Sequence, residues 1–211
     1  SYEEMLELAS QGAKVLQTRS VELAMRKKTK LSVRSSIKPN KSGTLVTEEN
    51  SKLENNTVSG IAYSKDEAKI TLSRVLDKPG VSSRIFGPLS KGNINVDMIL
   101  QNVSQDGKYA NLSFTLPRGD LEKALKILKK EKSNIGYRKI NSSNNISKIS
   151  VVGVGMRSHA GVAQTLFETL GKNKINIQVI TTSEIKISIL IDDQFTDLEV
   201  KKLLHHLQLF K

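Results

Sequence analysis

The sequence predicts an α+β fold: two ferredoxin-like βαββαβ units, the first inserted into the second, behind a short helical and strand-forming stretch. Three observations carry this reading. The phrase GNINVDMI at 92–99 returns as NKINIQVI at 173–180, 81 residues later. Each copy follows a helix-like run that opens on Gly-Val, Gly80-Val81 in one and Gly161-Val162 in the other. The second copy lacks a closing strand, while a spare strand, VSGIAY at 58–63, precedes the first.

The first copy begins with AKITLSRV at 68–75, where Ala68, Ile70 and Leu72 alternate as in a half-buried strand. A turn at Asp77-Lys78-Pro79-Gly80 leads to a helix on Val81, Ile85, Phe86 and Leu89, which Gly92 stops. The repeated phrase reads as the next strand, with Ile94, Val96, Met98 and Leu100 on one face and Asn95, Asp97, Ile99 and Gln101 on the other. Asp106-Gly107 marks a hairpin turn. Ala110, Leu112, Phe114 and Leu116 then alternate, and Leu121, Ala124, Leu125 and Leu128 give a second helix. Residues 137–140 supply a last strand, completing the split βαβ order.

The second copy runs through a strand at 149–154, the turn MRSHAG at 156–161 and a helix at 162–171. Ile175, Ile177 and Val179 share a face, and Ile185, Ile187, Ile189 and Ile191 alternate strictly. Val200, Leu203, Leu204 and Leu207 form its second helix. Only residues 208–211 remain, fewer than the ~5–6 of a typical strand. The spare strand at 58–63 therefore completes this copy. A repeat of this length means domain duplication, since solenoid periods run about 20–50 residues.

The chain of 211 residues has room for two modest domains. It has no cysteine, which excludes disulfides and thiolate metal sites and fits a cytoplasmic setting. His159, His205 and His206 are too few and scattered for a metal site. No apolar run approaches the ~20 residues that span a bilayer, so no membrane partner is expected. The opening SYEEMLELAS is acidic and amphipathic, unlike a secretion signal or transit peptide. The net charge of +12 raises nucleic-acid binding as an alternative, a basic module on a ferredoxin-like fold. Aromatic residues make up only 4%, which leaves little for base stacking, and RKKTK at 26–30 suits the negative end of a helix.

In each copy a glycine-containing turn joins a strand to a helix. The first N–H groups of a helix lack internal partners and seat a carboxylate or phosphate. Asn95, Asp97 and Gln101 lie on the neighbouring strand's polar face, and Asp77 or Asp97 can meet an ammonium. A carboxylate seat with an ammonium acceptor describes a free amino acid. Gly-Val after a turn serves equally as a plain helix start, and Asn-Ile as a solvent-facing strand position.

The stretches DKPGVSSRIFGPLSKGNINVDMILQNVS and VVGVGMRSHAGVAQTLFETLGKNKINIQVITTSEIKIS resemble the paired ACT domains of aspartate kinases, which bind regulatory amino acids. SYEEMLELASQGAKVLQTRSVELA and LSVRSSIKPNKSGTLV are similar to the end of the kinase domain of that family, and GIAYSKDEAKIT to the entry of its regulatory region. The resemblance implies a kinase-domain remnant over 1–47, a linker at 48–56, a first ACT domain at 67–141, and a second built from 57–66 and 146–211. It implies feedback control by lysine, threonine or both, over ATP-dependent phosphorylation of L-aspartate, with two chains paired through their ACT domains.

Family effector contacts map to Asp77, Ser82, Asn95, Val96, Asp97 and Gln101 in the first copy. In the second they map to Val162, Ala163, Asn176, Ile177, Ser183 and Glu184. Family geometry sets a turn of one copy against the Asn-Ile strand of the other, usually from two chains. Core packing is an equal account of Val96, Val162 and Ile177, and a surface strand end of Ser183 and Glu184. Ser82 stands where the family often has alanine, and Ala160 where it often has proline. The lysine-phenylalanine-glycine-glycine-threonine motif and the acidic aspartate-binding residues of the kinase are missing here. Of its nucleotide contacts only Lys14, with Val15 beside it, has a counterpart. A lone lysine cannot orient ATP and magnesium against a carboxylate, so this chain alone is expected to be inactive, with no cofactor of its own.

Overall fold

The computed structural model describes residues 1–49, 57–159 and 161–206, so Ala160, Leu207 and most of the 48–56 stretch lie outside it. Two compact units divide the chain: residues 65–147 form one, and residues 1–64 with 148–211 the other.

In the 65–147 unit, the later part of β3 (Gly60–Leu76) is followed by α3 (Val81–Lys91), β4 (Ile99–Val103), β5 (Tyr109–Leu116), α4 (Leu121–Lys130), the single turn α5 (Lys132–Ile135) and the start of β6 (Lys139–Val152). The strand order is β4-β5-β3-β6. Antiparallel pairs set Ile70 opposite Phe114 and Gln101 opposite Leu112. Beneath the helices, Ile70, Leu72, Ile85, Leu89, Leu112, Phe114 and Leu128 are fully buried, and Phe86 meets Phe114 edge-on at 5.3 Å. A buried side chain of this size is worth roughly 1.5–3 kcal/mol, so this face holds the unit together.

The other unit repeats the plan with β6, α6 (Val162–Lys172), β7 (Val179–Thr182), β8 (Lys186–Asp192) and α7 (Thr196–His206). Its strand order is β3-β6-β8-β7, with the first residues of β3 at the edge beside β6. Just before β3, the Ser59 N–H donates to the Val152 carbonyl at 2.8 Å. Ile149, Val151, Leu166, Leu170, Ile189, Ile191 and Leu203 form its core.

This unit also contains α1 (Tyr2–Ser10), α2 (Thr18–Arg26) and the hairpin of β1 (Leu31–Val33) and β2 (Thr44–Val46). Ser1 and Glu4 form a capping box that starts α1. Tyr2, Val21, Ala24 and Val46 make a small core of their own. Among the described residues no helix is long and apolar enough to cross a membrane.

The sequence reading is corrected in three places. The repeated phrase is not a strand along its length: β4 starts only at Ile99 and β7 only at Val179. Residues Asn93 and Lys174 take left-handed backbone (φ 53° and 58°) as each helix ends, and the chain needs several residues to recover ladder geometry. Second, the strands read at 58–63 and 68–75 are one strand, β3, and those read at 137–140 and 149–154 are one strand, β6, ending at Val152. Polar SKDE and NSSNN read as connections, yet a paired backbone tolerates polar side chains on an open face. Third, β8 does not alternate inside and outside, because Ser188 and Leu190 are buried along with the isoleucines. The second face is covered in this unit: Ser150 and Ser188 share a 2.7 Å hydrogen bond, and the Ser150 hydroxyl donates to Gln11 Oε1 at 3.3 Å.

Glu4 anchors that cover. Its buried carboxylate accepts from the Ser59 hydroxyl at 2.6 Å and from the Val154 N–H at 2.8 Å. Burial opposes its charge, but hydrogen bonds from the Ser1 amino group, Ser59 and Val154 outweigh this and hold the carboxyl below the ordinary glutamate range. A carboxyl with a depressed folded-state pKa stabilises above its unfolded value, and that contribution is lost as pH falls through the folded value. Thermal unfolding followed from neutral pH downward is expected to show falling stability. Glu4→Gln should flatten that fall and cost about 1–3 kcal/mol at neutral pH. An unchanged pH profile would contradict the anchoring role.

Candidate effector site

The two helix starts are built alike, although residues 77–80 lead into α3 directly and residues 153–161 lead into α6 through a 3-10 turn at Val154–Arg157. Gly80 and Gly161 are the residues preceding α3 and α6, with φ of 87° and 113°. In that region an L side chain strains the backbone, and among the described residues no atom beyond the flanking residues and the helix's own backbone lies within 4 Å of where a Cβ would stand. Glycine is thus required by the backbone angle, and the ground above it is open. Neither helix start has a side-chain cap. The Arg84 N–H donates to the Gly80 carbonyl at 3.2 Å and the Thr165 N–H to the Gly161 carbonyl at 2.9 Å; the Val81 N–H is already taken by the Lys78 carbonyl at 3.2 Å, so at α3 the outward first-turn donors are those between Val81 and Arg84.

At the other end of each helix the match continues. Ile94 N–H donates to Leu89 and Ile175 N–H to Leu170, both at 3.0 Å. Ile94 and Met98 are buried, as are Ile175 and Val179; Asn95, Asp97, Asn176 and Gln178 face outward between them. The Asp97 N–H reaches the Thr115 carbonyl at 2.9 Å, and the Gln178 N–H that of Leu190 at 2.8 Å. Each asparagine is therefore presented from a bonded backbone.

In the 65–147 unit the structure joins two of the six sequence candidates directly: Gln101 Nε2 donates to Asp77 Oδ1 at 3.2 Å. Ser82, Asn95 and Asp97 are exposed, while half-buried Val96 packs on the core. In the other unit Val162 is buried in the core, with Ala163 and Ile177 packed against it. Asn176, Ser183 and Glu184 are exposed. The Ser183 N–H closes a tight turn on the Lys186 carbonyl at 2.8 Å. Lys14 and Val15 are exposed in the connection between α1 and α2.

Residues that sequence reasoning passed over gather beside Glu184. Arg157 Nε lies 3.4 Å from the Glu184 carboxylate, and its other nitrogens reach Glu49 at 3.2 Å and Glu3 at 3.1 Å. Lys186 pairs with Glu7 at 2.9 Å. The sequence marks MRSHAG at 156–161 as a turn and as part of the family resemblance. Nothing in the linear sequence sets its arginine beside Glu3, although the Ser1/Glu4 capping pattern is visible there.

Asp77 and Gln101 are exposed, and exposed polar pairs contribute about 0–1 kcal/mol. Asp77→Asn should therefore shift the chemical-denaturation midpoint by less than about 1 kcal/mol equivalent. A larger loss would mark Asp77 as structural rather than available to a ligand.

Comparison with known proteins gives these shapes a context. The ACT domain profile matches residues 73–131 and 149–207. The aspartokinase of Pseudomonas aeruginosa is 49% identical over 205 residues, covering 96% of this chain and 49% of that protein. The chain spans about half the length of the curated relatives it matches. A crystal structure of aspartokinase alpha and beta subunits is 44% identical, with a TM-score of 0.67, covering 72% of this chain and 99% of that one. The E. coli aspartokinase III structure in complex with lysine and aspartate, in its T-state, is 25% identical with a TM-score of 0.73, over 98% of this chain and 45% of that one.

Proposed function

Since the chain belongs to the ACT-domain family in the form found in aspartokinase regulatory regions, we propose that it senses lysine, threonine or both, and that this sensing restrains ATP-dependent phosphorylation of L-aspartate by a longer protein. One observation carries the reading: both repeats keep a left-handed glycine, an uncapped helix start and an outward asparagine in the same register. The helix start takes the α-carboxylate. Asp77, Asp97 and Gln101 in one repeat, and Ser183 and Glu184 in the other, supply polar groups for the ammonium and side chain. Asn95 and Asn176 bridge between, and Ser82, Val96, Val162, Ala163 and Ile177 contribute backbone groups and walls.

We assign 1–47 to the end of a kinase domain and the two repeats to ACT domains at 67–141 and at 57–66 with 146–211. Val15 is 68% exposed and Leu23 59%, apolar surface that suits further packing by such a domain. Lys14 would contribute to the nucleotide site of the longer protein. A single exposed ammonium does not make one, so no catalytic step is assigned to this chain. Each half-site is completed by the complementary repeat of a second copy, giving a homodimer. The edge strands β4 and β7, with Ile99, Val103 and Ile180 exposed, support association.

A ligand that binds only the folded form stabilises it by about 2.7 kcal/mol at a hundredfold excess over Kd. Saturating lysine or threonine is expected to raise the melting temperature, and calorimetric titration with each and with the mixture will show which binds. Asn95→Ala and Asn176→Ala should each abolish or weaken the shift while leaving the ligand-free melting temperature within a few degrees. Absence of heat and of shift for both amino acids would overturn the reading.

A further inference from the structure

The Val154–Arg157 turn is gripped from one side by α1. Glu4 accepts from the Val154 N–H at 2.8 Å, and Glu3 takes the Arg157 guanidinium at 3.1 Å. One helical turn on, Glu7 holds Lys186 at 2.9 Å, the residue that closes the 183–186 turn. Arg157 is the common member: its planar fork serves Glu3, Glu49 and Glu184 together. Three carboxylates share one cation that cannot be deprotonated, so a change at one alters what the other two receive. The neighbouring charges raise the Arg157 pKa further, against the opposing effect of desolvation.

The three partners are not equally held. Glu184 is 82% exposed, whereas Glu3 is 45% and Glu49 27% exposed. Glu184 is thus the partner that solvent or a competing cation can remove, and Glu3 and Glu49 are those that stay. The hairpin between β4 and β5 offers a contrast: it is closed by its own residues, with the Ser104 hydroxyl and Lys108 N–H both donating to Asp106.

We propose that Arg157 is a positioning residue that couples the 183–186 turn to α1. It deepens the regulatory reading given above and rests on it for the identity of the ligand. An ammonium arriving at Glu184 draws that carboxylate off the guanidinium. Arg157 then binds Glu3 and Glu49 more strongly, and α1 is seated differently although the ligand never touches it.

The test uses hydrogen–deuterium exchange on the 211-residue chain without ligand. Glu184→Gln is expected to change amide exchange in α1 by about fivefold or more, the low end of typical coupling between sites. In the Arg157→Gln background the same substitution should leave α1 unchanged. Arg157→Lys keeps the charge but not the fork and should fail to restore the effect. If Glu184→Gln leaves α1 at the wild-type rate, or changes it equally in both backgrounds, the coupling is refuted. Saturating L-lysine or L-threonine should shift α1 exchange in the wild type and not in Arg157→Gln. Should neither amino acid bind the wild type, the effector assignment fails, while the ligand-free comparison still decides the coupling.

Discussion

Both units depend on a left-handed glycine at the point where a strand becomes a helix. Gly80 and Gly161 set the phase of the helices that follow, so that Val81, Ile85 and Leu89 in one, and Val162, Leu166 and Leu170 in the other, all turn into the core. A different residue there would strain the turn or rotate the helix, and either would expose part of that apolar row. The same geometry leaves the helix start uncapped and facing outward. One backbone angle therefore fixes the packing and leaves open ground ahead of the helix, and duplication preserves both.

The duplication was legible because periodicity and turn chemistry are local. Alternation in AKITLSRV, the Gly-Val helix starts and the Asp106-Gly107 hairpin all lie within a few residues of what they specify. Strand ends were less legible. The residues from Ile94 to Met98 alternate as a strand does, yet their backbone is still leaving the left-handed turn at Asn93. Long-range pairs were not legible at all. Arg157 meets Glu3 and Glu49, and Gln11 meets Ser150, only because α1 packs on the sheet. For the candidate residues, resemblance supplied the names. The structure supplied their exposure, the Asp77–Gln101 bond and the ion pair that already occupies Glu184.

The lysines of α4 suit the helix they stand on. Lys129 and Lys130 lie in the last turn of α4, where cations offset the helix dipole, and Lys123 and Lys126 are exposed on the same helix. On the sheet of the 65–147 unit, Thr71 and Ser113 share a hydroxyl bond at 2.9 Å, and Tyr109 is stacked under the Arg74 guanidinium at 4.5 Å. Sequence-reading modules of this fold stack bases on free aromatic rings. Here that ring is covered, and Thr71 and Ser113 satisfy one another.

The two repeats, alike in their turns, differ in what lies on their sheets. The Thr71–Ser113 pair is half-buried, while the Ser150–Ser188 pair is fully buried beneath the residues after α1. A buried hydroxyl pair must be fully bonded, since an unpaired buried group costs about 1–3 kcal/mol. Releasing α1 would take Gln11 from the Ser150 hydroxyl and Glu4 from the Val154 N–H, although the Ser150–Ser188 bond would remain. Those two bonds favour small reseating of α1 over detachment. Small reseating needs only altered ion-pair shares at an intact contact, the kind of change that three carboxylates around Arg157 can deliver.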